Sequence, residues 1–91
     1  MSKIEITIDN ERVEFVRGVD AGYRRKNAIL ADMPNGDVIA IYRIGRKWIE
    51  AHIRNGIAYT IYYHNTRREA MISAATSIAA RRIGLASAYC D

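Results

Sequence analysis

The sequence is poor in the residues that carry most recognisable chemistry. It has one cysteine, Cys90, so no disulfide can close within the chain and no thiolate pair is available for zinc. That usage suits a reducing, cytoplasmic setting. Pro34 is the single proline, and the six glycines are scattered with no phosphate-cradling pattern. No apolar run is long enough to cross a bilayer. The opening MSKIEITID alternates from the outset and lacks the basic and apolar segments of a signal peptide, which again points to the cytoplasm. The only histidines are His52 and His64, and no nucleophile, cleft or paired carboxylate converges on them. No catalytic residue, no metal and no cofactor is expected.

What is present describes one folded domain over residues 1–91, with 49% hydrophobic residues and a net charge of +4. The charge is uneven. Residues 1–22 hold three basic and five acidic side chains, a net of −2, and residues 23–91 hold eleven basic and five acidic, a net of +6. Such a basic remainder suits a polyanion, and equally a solvated surface. Its densest run is Arg24-Arg25-Lys26, after Tyr23 on a segment between two sheet elements. This is either a solvated loop or a phosphate-contacting one.

Strand period and turn chemistry order the chain. Ile4, Ile6 and Ile8, then Val13 and Phe15, predict an N-terminal hairpin over residues 3–17 turning at Asp9-Asn10-Glu11. Residues 28–64 predict four sheet strands. Their turns fall at Pro34-Asn35-Gly36, at Gly45-Arg46 and at Asn55-Gly56, the last a type I′ signal. Asp32 and Asp37 flank the first of these turns and read as structural. Thr66-Arg67-Arg68-Glu69 is a capping box that opens a helix over 66–83, with Gly84 as its left-handed stop and Arg81 and Arg82 in the last turn. The fold class expected is α+β: an antiparallel meander of about six strands packed on one C-terminal α-helix.

A two-residue loop at Asn55-Gly56 sets His52 opposite Tyr59, Glu50 opposite Ile61 and Trp48 opposite Tyr63. The helix stripe of Met71, Ala74, Ala75, Ile78 and Ala79 is small, and so is the sheet face of Val38, Ala40, Ile49, Ala51, Ile53 and Ala58, so these two are expected to pack together. The opposite face would then be the binding surface. It presents Arg43, Trp48, Glu50, His52, Arg54, Tyr59 and Tyr63, and Arg46 of the adjoining turn and Lys47, at the rim of the other face, are counted with the basic groups around its aromatics. Glu50 is expected to pair with Arg43 or Arg54 across the strands, with His64 on the other face from His52. Three states of this surface stay open: covered by the N-terminal hairpin, free to bind, or buried in a homodimer.

From GRKWIEAHIRNG through the next strand to Thr66-Arg67-Arg68-Glu69-Ala70 and its Ala-rich helix, residues 38–83 resemble two DNA-binding modules. These are the plant ethylene-response-factor domain and the arm-site-binding domain of phage integrases. Both read duplex DNA with the sheet face away from the helix, which by position implies Arg43, Arg46, Trp48, Glu50, His52 and Arg54. The chain departs from them in the bulky Ile and Tyr residues of its last strand, in His52 where a charged residue is common, and in the preceding hairpin. In type the chain also resembles small phage-encoded inhibitors, including anti-CRISPR proteins, which occlude a nucleic-acid-handling complex. The expectation is therefore a non-enzymatic inhibitor that binds a protein or nucleoprotein partner, with no membrane involved. The alternative is a duplex-DNA-binding module using the same residues, with Arg67, Arg68 and the loop of Tyr23, Arg24, Arg25 and Lys26 adding phosphate contacts.

Overall fold

The computed structural model describes residues 4–89, with side chains described as far as Gly84; Cys90 and Lys3 lie outside the described residues. Six strands run in chain order: β1 (Ile4–Ile8), β2 (Glu11–Arg17), β3 (Ile29–Asp32), β4 (Val38–Ile44), β5 (Lys47–Arg54) and β6 (Ile57–His64). They form one antiparallel meander, and helix α1 (Arg67–Tyr89) follows. The class is α+β, as the sequence predicts.

The turn chemistry does what those residues allow. Asn55 and Gly56 both take positive φ, 52° and 79°, and Gly45 takes 61°, the conformations that tight hairpins need. The Thr66 hydroxyl accepts the Glu69 amide at 3.1 Å, and the Glu69 carboxylate accepts the Asn65 amide at 3.4 Å. The cap therefore reaches one residue further back than a standard box. The helix does not stop at Gly84. It continues to Tyr89, because Gly84 keeps a helical backbone and good helix formers follow it. Arg82 is thus mid-helix, where its guanidinium donates to the Arg12 carbonyl at 2.7 Å.

Two expectations are overturned, and they are linked. The β5–β6 pairing starts as predicted, with Arg54 opposite Ile57 and Ile53 opposite Ala58. An irregularity at His52/Ile53 then shifts it by one. Tyr59 is the extra residue of this bulge. Beyond it His52 faces Thr60, Glu50 faces Tyr62, Ile49 faces Tyr63 and Trp48 faces His64. Tyr63 thereby leaves the Trp48 face and His64 joins it.

The second correction concerns the helix, which covers the opposite face from the one expected. Ala70, Met71, Ala74, Ala75 and Ile78 pack with Ile39, Ile41, Ile29, Met33, Val13 and Phe15, and Ile4, Ile6, Ile8 and Trp48 border this core. Small helix residues meet large sheet residues, and that complementarity fills the layer better than small against small. The N-terminal hairpin contributes Val13 and Phe15 to the same layer rather than capping a separate face.

The small aliphatic face is covered differently. The segment from Gly18 to Ala28 folds over it as a strap. Ala40 and Ala51 are fully buried there, and Arg25 lies 4.2 Å over the Tyr42 ring. The neck of the strap is closed by Gly18, whose amide donates to the Ala28 carbonyl at 2.6 Å. A Cβ at Gly18 would stand 2.5 Å from the Arg25 carbonyl oxygen, so only glycine allows that approach.

Candidate functional site

The residues expected to form one exposed face separate into three groups. The first is internal. Glu50 and His52 were expected on the free surface, yet they are 0% and 4% exposed beneath the helix. Strand alternation put them with Ile39 and Ile41, and α1 packs on that set. The Glu50 carboxylate pairs with neither Arg43 nor Arg54. Its Oε2 meets His52 Nε2 at 2.6 Å and its Oε1 meets His64 Nε2 at 2.9 Å. The two imidazoles share a carboxylate only because the bulge carries His64 onto this face. Tyr62 and Tyr59 stand edge-on to the His52 ring, with centroids 5.5 and 6.2 Å away. Among the described residues no buried side-chain polar atom lacks a partner, and no group of three or more acidic, His or Cys side chains could hold a metal ion. The cluster ties β5 to the end of β6.

The second group sits at the end of the sheet where β4 begins and β5 ends. Arg54 donates from Nε and Nη2 to the two oxygens of Asp37, at 3.0 and 2.9 Å. Tyr59, turned by the bulge, donates its hydroxyl to Oδ2 at 2.8 Å, and Asn35 donates at 3.0 Å. The Arg54 hydrogen bonds, helped by those of Tyr59 and Asn35 against the opposing effect of burial, lower the Asp37 pKa from 3.8 to about 2. Arg54 and Tyr59 are thus engaged in holding a turn.

The third group is at the other end. Arg43 and Trp48, which face each other across β4 and β5, meet Arg25, Lys26, Asn27 and Ala28 of the strap around a hollow of about 560 Å³. A second hollow of about 290 Å³ continues from it, sharing Lys26, Asn27, Ala28 and Trp48 and adding Arg17 and Arg67. No carboxylate lines either one. Arg46 and Lys47 occupy the adjoining β4–β5 turn, where Lys47 donates to the Asn65 side-chain oxygen at 2.7 Å. Arg43 is held by a bond from its Nε to the Gly45 carbonyl at 2.8 Å. Arg24 lies further along the strap, towards Ile53 and Ala58. Tyr63 is on the outer face of β6 and exposed.

Of the predicted residues, then, Arg25, Lys26, Arg43 and Trp48 converge. Arg67, expected as a phosphate contact, joins them from the start of α1, and Arg17, which was not expected, joins them from β2. Arg67 has a local signal: it is a cation in the first helical turn, where the macrodipole favours anions. Arg17 carries no such signal. No protein-family model, no curated protein and no solved structure matches the chain.

Proposed function

We propose that the protein is a small non-enzymatic binding protein that engages a nucleic-acid-handling complex through the basic end of its sheet and blocks a surface that complex needs. In type this is the role of phage-encoded inhibitors such as anti-CRISPR proteins. The observation that supports it is the gathering of Arg17, Arg25, Lys26, Arg43 and Arg67 around Trp48 with no carboxylate in the lining. These cations line two adjoining hollows, and Arg67 and Arg68 also sit at the positive pole of α1, so this end presents a positive potential to an anion. Backbone phosphates supply that anion, and Trp48 offers an aromatic edge for a neighbouring base.

The same geometry gives little support to readout of duplex DNA by the strands. The face away from the helix carries Tyr42, Ile49, Ala51, Ile53, Ile61 and Tyr63, the strap with Arg24 and Arg25 lies over its Tyr42–Ile53 part, and its rim cation, Lys47, is tied to Asn65. Base edges in the major groove call for Arg, Lys, Asn or Gln, and none projects from the middle of that face. Mobility shifts with single-stranded and duplex oligonucleotides over a range of salt concentrations test the proposal. We expect binding to the single strand, with log K falling by roughly 3 per decade of salt if the five cations neutralise four or five phosphates. No binding at low salt would remove it.

A further inference from the structure

We propose that the β6 edge of the sheet is the docking surface for a second copy of this chain, giving a two-fold dimer with one continuous sheet. The inference stands apart from the basic end and from its function.

β6 is the last strand in the sheet and is hydrogen-bonded to β5 alone. Its other edge is a row of main-chain donors and acceptors eight residues long. Folded proteins blunt such edges with charge, proline, shortness or a covering element. From Ile57 to Tyr63 β6 has neither a charged residue nor a proline. Its side chains are exposed on both faces: Ile57 is 71%, Ile61 45%, Tyr62 49% and Tyr63 67% exposed. An enclosed tyrosine hides on the order of 150–250 Å². The half-exposed tyrosines and isoleucines of β6 therefore leave on the order of 400 Å² of side-chain surface exposed along this edge, divided between its two faces. The main-chain edge adds to it, towards the roughly 800 Å² per partner of a standard interface.

Charge selects the occupant. The chain carries a net +4, so two copies repel unless they meet where neither is charged, and β6 is such a place. Antiparallel pairing about an axis normal to the sheet also sends the two basic ends in opposite directions, since each lies beyond the C-terminal end of its own β6. The contact closes on itself and uses the same surface twice. The other edge fits poorly as the partner. β1 has five residues, its Glu5 is paired with Arg12, and its apolar side rests on the helix core. Pairing β1 with β6 would also generate an open filament rather than a pair.

Sedimentation equilibrium of the full chain tests this. The expected result is a mass of twice 10.3 kDa at micromolar concentrations, falling to the single mass in the double variant Ile61→Lys, Tyr63→Lys, whose circular dichroism should match the parent. Amide exchange on the unaltered protein gives a second reading that needs no variant. Every amide between Ile57 and His64 should be protected in the dimer, whereas a free edge leaves alternate ones unprotected. A single mass at all concentrations with fast exchange along that edge overturns the proposal. So does a dimer that survives both lysines, or association that grows beyond two copies.

Discussion

Asp37 and Trp48 sit at opposite ends of the β4–β5 ladder, and the charges around them are arranged in opposite ways. Around Asp37 the geometry is closed. One carboxylate accepts two bonds from Arg54, one from Tyr59 and one from Asn35. Around Trp48 it is open, with arginines and a lysine from the strap, β2, β4 and the helix start facing the same space and no acid among them. The closed end is explained by the fold: it fixes the β3–β4 turn and the bulge that sets the β6 register. Cations that face adjoining hollows without a carboxylate, in a chain that pairs its arginine with an acid at the other end, are what the proposed ligand site rests on.

The largest effect is expected where a satisfied charge is most deeply enclosed, between the two ends. Glu50→Ala leaves His52 and His64 without their shared acceptor under α1. Leaving a buried polar group without its hydrogen-bond partner costs about 1–3 kcal/mol, read as a fall in the urea midpoint. If the loss is under about 1 kcal/mol, the value typical of an exposed pair, the cluster does not pin β5 to β6.

Next in size is the acid response of the closed end. Asp37 has a folded pKa of about 2 against an ordinary 3.8. A depressed carboxylate stabilises fully above the unfolded value, and that contribution is lost as pH falls through the folded one. Stability should therefore decline between about pH 4 and pH 2, and Asp37→Asn should flatten that part of the curve. Unfolding midpoints at pH 5, 3 and 2 decide it: an unchanged slope in the variant would move the acid sensitivity elsewhere.

The turns and the helix cap were legible in the sequence, whereas the Asp37 cluster was not, since Arg54 and Tyr59 were expected on the binding face. Asp37 beside Pro34-Asn35-Gly36 reads as a turn residue, and Asn55-Gly56 and Thr66–Glu69 mark where strands and helix change. These signals are local, because a turn or cap needs particular residues within four positions. The bulge at Tyr59 has no such signature. One unmarked residue there moved His64 onto the face of Glu50 and Tyr63 off it. The choice of helix face was equally hidden, since both faces of β4 and β5 are apolar. What decided it was volume, with the alanines of α1 seated against Ile39, Ile41 and Phe15, and a strap left to cover Ala40 and Ala51. Arg17 and Arg67 are fifty residues apart in the chain, and only the completed meander brings them together.

The smaller effects separate the open end from the fold. Gly18→Ala should disturb the neck of the strap without unfolding the sheet, because the crowded atoms are the carbonyl oxygens of Arg25 and Ala28. Oligonucleotide binding should weaken as Arg25 and Lys26 shift, and the melting temperature should fall as well, because a clash with backbone oxygens is not relieved by turning a side chain.

The smallest change in stability, and the sharpest test of the comparison, is expected from Arg17→Ala combined with Arg67→Ala. Neither guanidinium has an ion-pair partner among the described residues. Their removal relieves repulsion and takes one cation from the positive pole of α1, so the melting temperature should hold or rise slightly. Binding should respond differently. Each lost phosphate contact lowers the salt slope on single strands by about 0.7, so the pair should lower it by about 1.4. The same substitution at the closed end, Arg54→Ala, should do the reverse, lowering stability by stripping Asp37 of its principal donor while leaving the salt slope unchanged. If Arg54→Ala moves the slope as much as the pair does, the phosphates are not gathered at Trp48, and the two ends are electrostatically alike.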